Sequence, residues 1–178
     1  AAMSELKRLH TVTLDKDKCI GCASCIKRCP TEAIRIRNGK ASVIYDKCIA
    51  CGECVRICPS NAKIPSYDKF DVIDAYKYRV ALIAPSLYGQ FDDVKDINYI
   101  LTAFKNIGFD FVYEVGIGAE LISQVTQRMF AADKLKLPVI STACPAVLEL
   151  INERFENLRG NLLPLLAPVD VAAKLARE

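Results

Sequence analysis

The sequence C-I-G-C-A-S-C-I-K-R-C-P at residues 19–30 and its counterpart C-I-A-C-G-E-C-V-R-I-C-P at residues 48–59 decide the first part of the fold. Each stretch holds four cysteines in the spacing C-x2-C-x2-C-x3-C, followed directly by a proline. The second stretch begins 29 residues after the first, and Asp-Lys precedes both of them. The chain therefore contains an internal repeat of one small structural unit.

This cysteine spacing predicts two [4Fe–4S] clusters. It is the spacing of bacterial two-cluster ferredoxins, in which the fourth cysteine of each stretch binds the other cluster. Three thiolates on a short loop reach three irons of one cube, and the two-residue gaps let backbone amides face its sulfides. Pro30 and Pro59 end the loops, because proline fixes φ and lacks an N–H donor. The predicted ligands are Cys19, Cys22, Cys25 and Cys58 for cluster 1, and Cys48, Cys51, Cys54 and Cys29 for cluster 2.

Two other interpretations of the cysteines are less favoured. Disulfides form in oxidising compartments, and the first ten residues lack the apolar block of a secretory signal. Zinc sites use paired C-x2-C knuckles, whereas each stretch here has three closely spaced cysteines and a separate Cys-Pro. The basic residues around the stretches fit buried anionic clusters, although a docking patch for a redox partner is an alternative use of them. These residues are Lys27, Arg28, Arg35, Arg37 and Arg56.

The composition is that of a core-forming globular protein. Of the 178 residues, 52% are apolar and 25% are charged, which suits one ordinary domain or two small ones. No apolar run approaches the ~20 residues of a membrane span, and a net charge of +3 is too small to indicate a nucleic-acid partner. Because exposed clusters oxidise readily, we expect a reducing cytoplasm or an anaerobic organism.

From residue 79 onward the pattern alternates between strand and helix. Strands are predicted at 80–84, 109–115 and 137–141, and helices follow them with an N-cap at Asp92 or Asp93, around 121–129, and from Pro145 to Gly160. A short last helix is predicted after Pro168. This order predicts a parallel sheet with helices on both faces. Three strands are few for such a sheet, so we expect half of a larger domain or a sheet completed by a partner.

The predicted organisation is thus an α+β ferredoxin-like dicluster domain at 1–66, a linker at 67–78, and an α/β three-layer parallel-sheet half-domain at 79–178. Gly116 and Gly118 are expected to form a tight turn into a helix, since a phosphate cradle would need a third glycine. His10 is expected to be a surface or packing residue. Cys144 lies before a predicted helix, where N–H groups favour a thiolate. The equally weighted alternative is that Cys144 is a small, buried hydrophobic side chain.

Several segments after the cysteine stretches resemble the beginning of the catalytic subunit of iron-only (FeFe) hydrogenases. They are A-L-I-A-P-S at 81–86, G-F-D at 108–110, G-A-E-L at 118–121 and P-V-I-S-T-A-C-P-A at 138–146. The resemblance runs from about residue 17 to the last residue. In that family the last segment contains T-S-C-C-P, so the resemblance implies that Cys144 takes the place of a cysteine that binds the cubane of the H-cluster. Ala143 then replaces the proton-relay cysteine, as in the sensory branch of the family.

The resemblance also limits what this chain is expected to do alone. The other H-cluster ligands of the family lie in two downstream motifs, and no cysteine follows Cys144 here. We therefore expect no H-cluster and no catalysis in this chain by itself, whether it is a fragment or a natural short relative. The leading hypothesis is an electron-relay part of a hydrogenase-like or hydrogen-sensing protein. A stand-alone dicluster ferredoxin and a redox-sensing regulatory subunit are the alternatives. The expected partner is a redox protein or a downstream catalytic half, and an oligomer is compatible with either.

The first prediction concerns metal content. We expect about eight irons and eight sulfides per anaerobically prepared chain, with an EPR spectrum of two coupled clusters after reduction. About twelve irons would instead mean a third cluster that uses Cys144. Zinc in place of iron would contradict the electron-transfer interpretation.

Overall fold

A computed structural model describes residues 11–178, so the prediction for His10 lies outside the described residues. The described chain is a mixed α/β fold with three two-stranded sheets. It divides into two compact units, one with residues 11–68 and 146–159 and the other with residues 69–145 and 160–178. Between residues 11 and 178, no helix is both long and apolar enough to cross a membrane.

The first unit repeats one strand–helix–strand pattern twice. Its elements in chain order are β1 (Val12–Leu14), α1 (Ser24–Lys27), β2 (Ile34–Arg37), β3 (Lys40–Val43), α2 (Glu53–Arg56) and β4 (Lys63–Pro65). β1 pairs antiparallel with β4, and β2 pairs antiparallel with β3. The turn between β2 and β3 is Asn38-Gly39, where φ is 51° and 71°, as a two-residue type I′ hairpin requires.

The core of this unit contains sulfur and small side chains in place of large apolar groups. Cys19 and Cys25 are each 8% exposed and pack with Ile34, Ala41 and Ala62. Among the described residues, no large side chain is less than 2% exposed. So small a core stabilises a fold weakly by itself, and metal binding commonly supplies the rest in units of this size.

The second unit is built on two parallel strands. The remaining elements of the chain are β5 (Val80–Ile83), α3 (Ile97–Asn106), β6 (Phe111–Glu114), α4 (Val115–Ala131), α5 (Pro145–Arg154) and α6 (Pro168–Leu175). Helix α5 is divided between the two units. β5 pairs in parallel with β6, from Val80 opposite Phe111 to Ile83 opposite Glu114. α4 packs against α6. Residues 146–154 of α5 belong to the first unit.

The prediction of a third strand at 137–141 was wrong. Within residues 11–178 that segment makes only an isolated parallel bridge, between Ile140 and Leu162. Pro138 has no N–H to donate to a ladder, and its carbonyl accepts a hydrogen bond from the Asn161 side chain at 2.8 Å. Ile140 exchanges backbone hydrogen bonds with Asn161 and Leu163. The segment is therefore held by a later part of the chain and does not extend the β5–β6 sheet.

Two predicted helix boundaries also shift. α3 is capped by Asp96, whose carboxylate accepts from the Asn98 amide at 2.9 Å, and not by Asp92 or Asp93. An aspartate directly before the first helical residue satisfies its free N–H groups, which earlier aspartates cannot reach. α5 ends at Arg154, and a 3₁₀ segment at Glu156–Asn161 replaces the rest of the predicted helix.

Gly116 and Gly118 lie inside the first turn of α4, which begins directly after β6 without a loop. A Cβ atom on Gly118 would collide with the Pro168 carbonyl oxygen and would approach the Ala172 amide to 3.1 Å. At Gly116 a Cβ would meet nothing within 4 Å. The glycine at 118 is thus explained by the close contact of α4 with α6, and the expected tight turn does not form.

This contact gives the second prediction. Gly118→Ala should lower the free energy of unfolding by about 1–3 kcal/mol, because the methyl group overpacks the contact between the two helices. The matched variant Gly116→Ala should be neutral or stabilising by up to ~1 kcal/mol, since alanine is the better helix former. Urea unfolding followed by far-UV circular dichroism measures both. Equal stability of the two variants would contradict the packing argument.

Candidate metal centres

Two cavities in the first unit gather the eight clustered cysteines into two groups of four. One cavity is lined by Cys29, Cys48, Cys51 and Cys54, and the other by Cys19, Cys22, Cys25 and Cys58. The space within them, counted with the open mouths, is about 380 Å³ and about 320 Å³ respectively. Cys29 and Cys58 each face the cavity formed by the other cysteine stretch. The fold therefore places three cysteines of one loop and one distant cysteine around each cavity.

The two cysteine loops share a backbone conformation. Gly21 and Ala23 in the first loop have positive φ, as do Ala50 and Gly52 at the matching positions of the second. Positive φ at both places turns the chain tightly, so that three cysteines of one loop face the same side. The short helices α1 and α2 then carry the third cysteine of each loop, Cys25 and Cys54. The repeat seen in the sequence is thus also a repeat of geometry.

Backbone amides point at the cysteine sulfurs. The amide of Ala33 donates to Cys29 Sγ and the amide of Ala62 donates to Cys58 Sγ, each at 3.2 Å. A longer bond of 3.5 Å joins the buried amide of Ala41 to Cys19 Sγ. Such N–H groups stabilise thiolates and the negative charge of a cluster bound to them.

The thiols differ in how readily they lose a proton. Burial raises the pKa of Cys25, and it raises the pKa of Cys54 to about 11. Burial also acts on Cys58, but the amides of Lys63 and Ala62 and the Ser60 hydroxyl outweigh it, so the pKa of Cys58 is lowered. Hydrogen bonds from Ser24 lower the pKa of Cys22. Metal binding must therefore displace protons from Cys25 and Cys54, whereas Cys22 and Cys58 are nearer to thiolates.

These residues fit [4Fe–4S] clusters. Each cavity offers four thiols and amide donors. In addition, the ammonium group of Lys63 is buried, and its Nζ has no hydrogen-bond partner within residues 11–178. An unpaired buried cation is costly unless an anion lies nearby, and a thiolate-bound cubane supplies one. Over the same residues, no three metal-binding side chains lie close enough to hold a single ion.

Cys144 is set apart from the other cysteines. It lies in the second unit directly before α5 and is exposed, so the alternative of a buried hydrophobic residue was wrong. The preceding segment is fixed by Thr142, whose buried hydroxyl donates to the carbonyls of Leu163 and Leu165 at 3.1 and 3.0 Å. The second unit contains no other cysteine, so Cys144 is the sole thiol there.

One polar pair at the carboxyl end of the β5–β6 sheet was not found from the sequence. The Tyr88 hydroxyl, in a 3₁₀ segment after β5, donates to Glu114 Oε2 at 2.7 Å. Burial, followed by the hydrogen bond and the charge of Glu114, raises the pKa of Tyr88 to about 12. The two residues are 26 positions apart and belong to no local motif, so only the parallel pairing of the strands brings them together.

Comparisons with known proteins match both parts of the chain. The model of the family described as iron only hydrogenase large subunit, C-terminal domain, matches residues 77–178. A 4Fe-4S dicluster domain matches residues 11–59. The first of these matches covers more than half of the chain.

Two curated relatives are ferredoxins that match a short part of the chain. Ferredoxin-2 of Desulfomicrobium norvegicum is 50% identical over 32 residues, which are 18% of this chain and 54% of that protein. A ferredoxin of Pyrobaculum islandicum is 39% identical over 44 residues, which are 24% of this chain and 41% of that protein. The matches thus span about half the length of each ferredoxin. With the dicluster-domain match, they support iron–sulfur electron transfer by a protein with 4Fe–4S clusters.

The third prediction concerns Tyr88 and Glu114. Tyr88→Phe should cost about 1.5 kcal/mol of stability at pH 8, because it removes a hydrogen bond to a charged group. The bond needs a neutral phenol whose pKa is raised to about 12. Its contribution is therefore complete below the unfolded pKa of ~10 and is lost as the pH rises towards 12.

Urea unfolding at pH 8 and pH 11 measures the difference between the wild type and Tyr88→Phe. The difference should be smaller at pH 11. Tyr99→Phe is the matched control, because Tyr99 is 73% exposed and its substitution should change stability by less than ~0.5 kcal/mol. A Tyr88 effect of the same size at both pH values would contradict the assignment.

Proposed function

The chain belongs to the iron-only hydrogenase large-subunit family, and we propose that its first unit carries two [4Fe–4S] clusters as the electron relay of a hydrogenase-like protein. Cluster 1 is bound by Cys19, Cys22, Cys25 and Cys58, and cluster 2 by Cys48, Cys51, Cys54 and Cys29. When bound, each cluster accepts and releases one electron at a time. The partner is a redox protein that supplies or removes electrons.

The observation that carries this proposal is the exchange of Cys29 and Cys58 between the two cavities. Each cavity is lined by three cysteines of one loop and the last cysteine of the other loop. A site for one ion would need its ligands close together, whereas a cubane needs four separated thiolates, one per iron. The arrangement therefore supports one cubane in each cavity.

The protein's own groups have three tasks in this proposal. Amides of Ala33, Ala41 and Ala62 hold the sulfurs and offset negative charge. Ile34 and Ala62, which are 2% and 1% exposed, help to exclude water from the cavities. Solvent exclusion and hydrogen bonds to sulfur are the means by which a protein sets the potential of such a cluster.

For the second unit we propose a role as the first lobe of a three-layer α/β domain. The β5–β6 pair and its helices would then be extended by the downstream half of the family's catalytic domain. Cys144 is exposed on this unit and would serve as the one H-cluster-type ligand that this lobe contributes. Ala143 cannot transfer a proton, which favours hydrogen sensing over rapid hydrogen turnover in the whole protein.

The similarity to two ferredoxins favours one alternative function. In it, the first unit is a dicluster electron carrier and the second unit is a docking domain for its redox partner. Both functions require the same two clusters. They differ in whether electrons pass to a site on the same protein or to a separate one.

The fourth prediction tests the ligand sets with pairs of substitutions. Cys22→Ala combined with Cys58→Ala should remove cluster 1 alone and leave about four irons and one intact reduced-cluster EPR signal. Cys22→Ala combined with Cys29→Ala removes a ligand from each cluster, so no intact [4Fe–4S] signal should remain. Iron analysis and EPR after anaerobic reduction measure both variants.

Cys144→Ala is the matched control for the loss of a thiol outside the cavities. It should retain about eight irons and both signals. An intact cluster in the Cys22→Ala, Cys29→Ala variant would show that the last cysteine of each stretch binds its own loop's cluster, and the proposed ligand sets would be wrong.

A further inference from the structure

The repeat allows the two cavities to be compared position by position at an offset of 29 residues. Most matching positions carry equivalent groups. Thr31 and Ser60 place hydroxyls 3.8 and 3.7 Å from Cys29 Sγ and Cys58 Sγ, and Ala33 and Ala62 donate to the same two sulfurs. Against this background, a difference in charge between the cavities stands out.

The largest difference is between Lys63 and Ile34. Lys63 lines the cavity of Cys19, Cys22, Cys25 and Cys58 and is 3% exposed. Ile34 holds the matching position in the other cavity and is 2% exposed. Lys63 Nζ is buried and has no hydrogen-bond partner in the described part of the chain. One cavity thus has an unpaired buried ammonium where the other has a hydrocarbon side chain.

Two further differences between matching residues also concern charge. Lys40 Nζ donates to the Cys19 carbonyl at 2.7 Å, and the matching residue in the other half is Thr11. Glu53 lines the cavity of cluster 2, where its counterpart in the cavity of cluster 1 is Ser24. Glu53 is paired with Arg56 at 2.7 Å and with Arg28 at 3.4 Å, so its charge is largely compensated. Among the residues that line the cavities, that of cluster 1 thus has the cation Lys63 and that of cluster 2 has the anion Glu53.

We propose that Lys63 makes the two cluster sites unequal, so that the first electron entering the protein resides at the site of Cys19, Cys22, Cys25 and Cys58. This inference rests on the proposed function, because it requires both clusters. One electron passes from a one-electron donor protein to this site, the donor is oxidised by one electron, and no proton moves. A buried cation stabilises the added negative charge strongly, because little water is present to screen it.

Lys63 also acts on the second site, but from outside its cavity. Lys63 lines the cavity of cluster 1 and does not line that of cluster 2. Because a Coulombic interaction weakens with distance, its charge acts less strongly on the second site. We expect its removal to lower both reduction potentials, and that of cluster 1 by more.

The experiment is a potentiometric titration of the fully loaded chain, with a low-potential reductant and EPR detection of each reduced cluster. Lys63→Met, which has a similar length and no charge, should change the equilibrium partition of the first electron between the clusters about tenfold, equivalent to ~59 mV for a one-electron couple. Lys63→Arg should retain the wild-type difference. Lys16→Met, at an exposed position, is the control for the same change in net charge.

Variants that keep one cluster show which site responds and do not depend on Lys63→Met folding. Cys29→Ala with Cys51→Ala retains cluster 1, and Cys22→Ala with Cys58→Ala retains cluster 2. With Lys63 unchanged, the first should have the higher potential. The opposite order would overturn the inference, as would a difference between the clusters that is the same in Lys63→Met as in Lys16→Met. A wild-type chain without two clusters would instead contradict the proposed function itself, and this inference with it.

Discussion

The first unit depends on the placement of eight thiols by a chain that has little else to bury. Its central buried cluster consists of two cysteines, two alanines and one isoleucine, so the hydrophobic effect alone contributes little there. The tight loops, the short helices and the amides directed at sulfur all act to hold the thiols around two cavities. Folding of this unit and filling of its cavities are therefore expected to be one coupled process.

Charge is the second constraint on this unit, and the structure distributes it unevenly. The two proposed [4Fe–4S] clusters with thiolate ligands would bring several negative charges into about 60 residues. Arginines at the surface do not meet this charge directly: Arg28 and Arg56 pair with Glu53, and Arg35 donates to backbone carbonyls at 2.7 and 2.8 Å. Lys63 lines one cavity, and Lys40 donates to the backbone carbonyl of Cys19. The negative charge of the proposed clusters would thus be compensated by individual residues and not by the net charge of the chain.

The sequence predicted most accurately where a pattern is local. The cysteine stretches, strands β5 and β6 and helices α3 to α6 were all recognisable from spacing and periodicity. The third strand was predicted wrongly because the backbone of Ile140 bonds to Asn161 and Leu163, which lie more than twenty residues downstream. Lys63 was overlooked for a related reason. Burial of a lysine beside a cavity leaves no trace in composition, and only the comparison with Ile34 in the other half of the repeat marks it.

Helix α5 and the segment after it have a consequence for how this protein can be divided. Residues 146–159 belong to the first unit, although about eighty residues of the second unit precede them in the chain. Within the first unit, Arg154 of this segment pairs with Glu32 at 3.5 Å. The chain therefore passes between the units three times, and no single cut separates them. A truncation near residue 68 would therefore leave the first unit without residues 146–159.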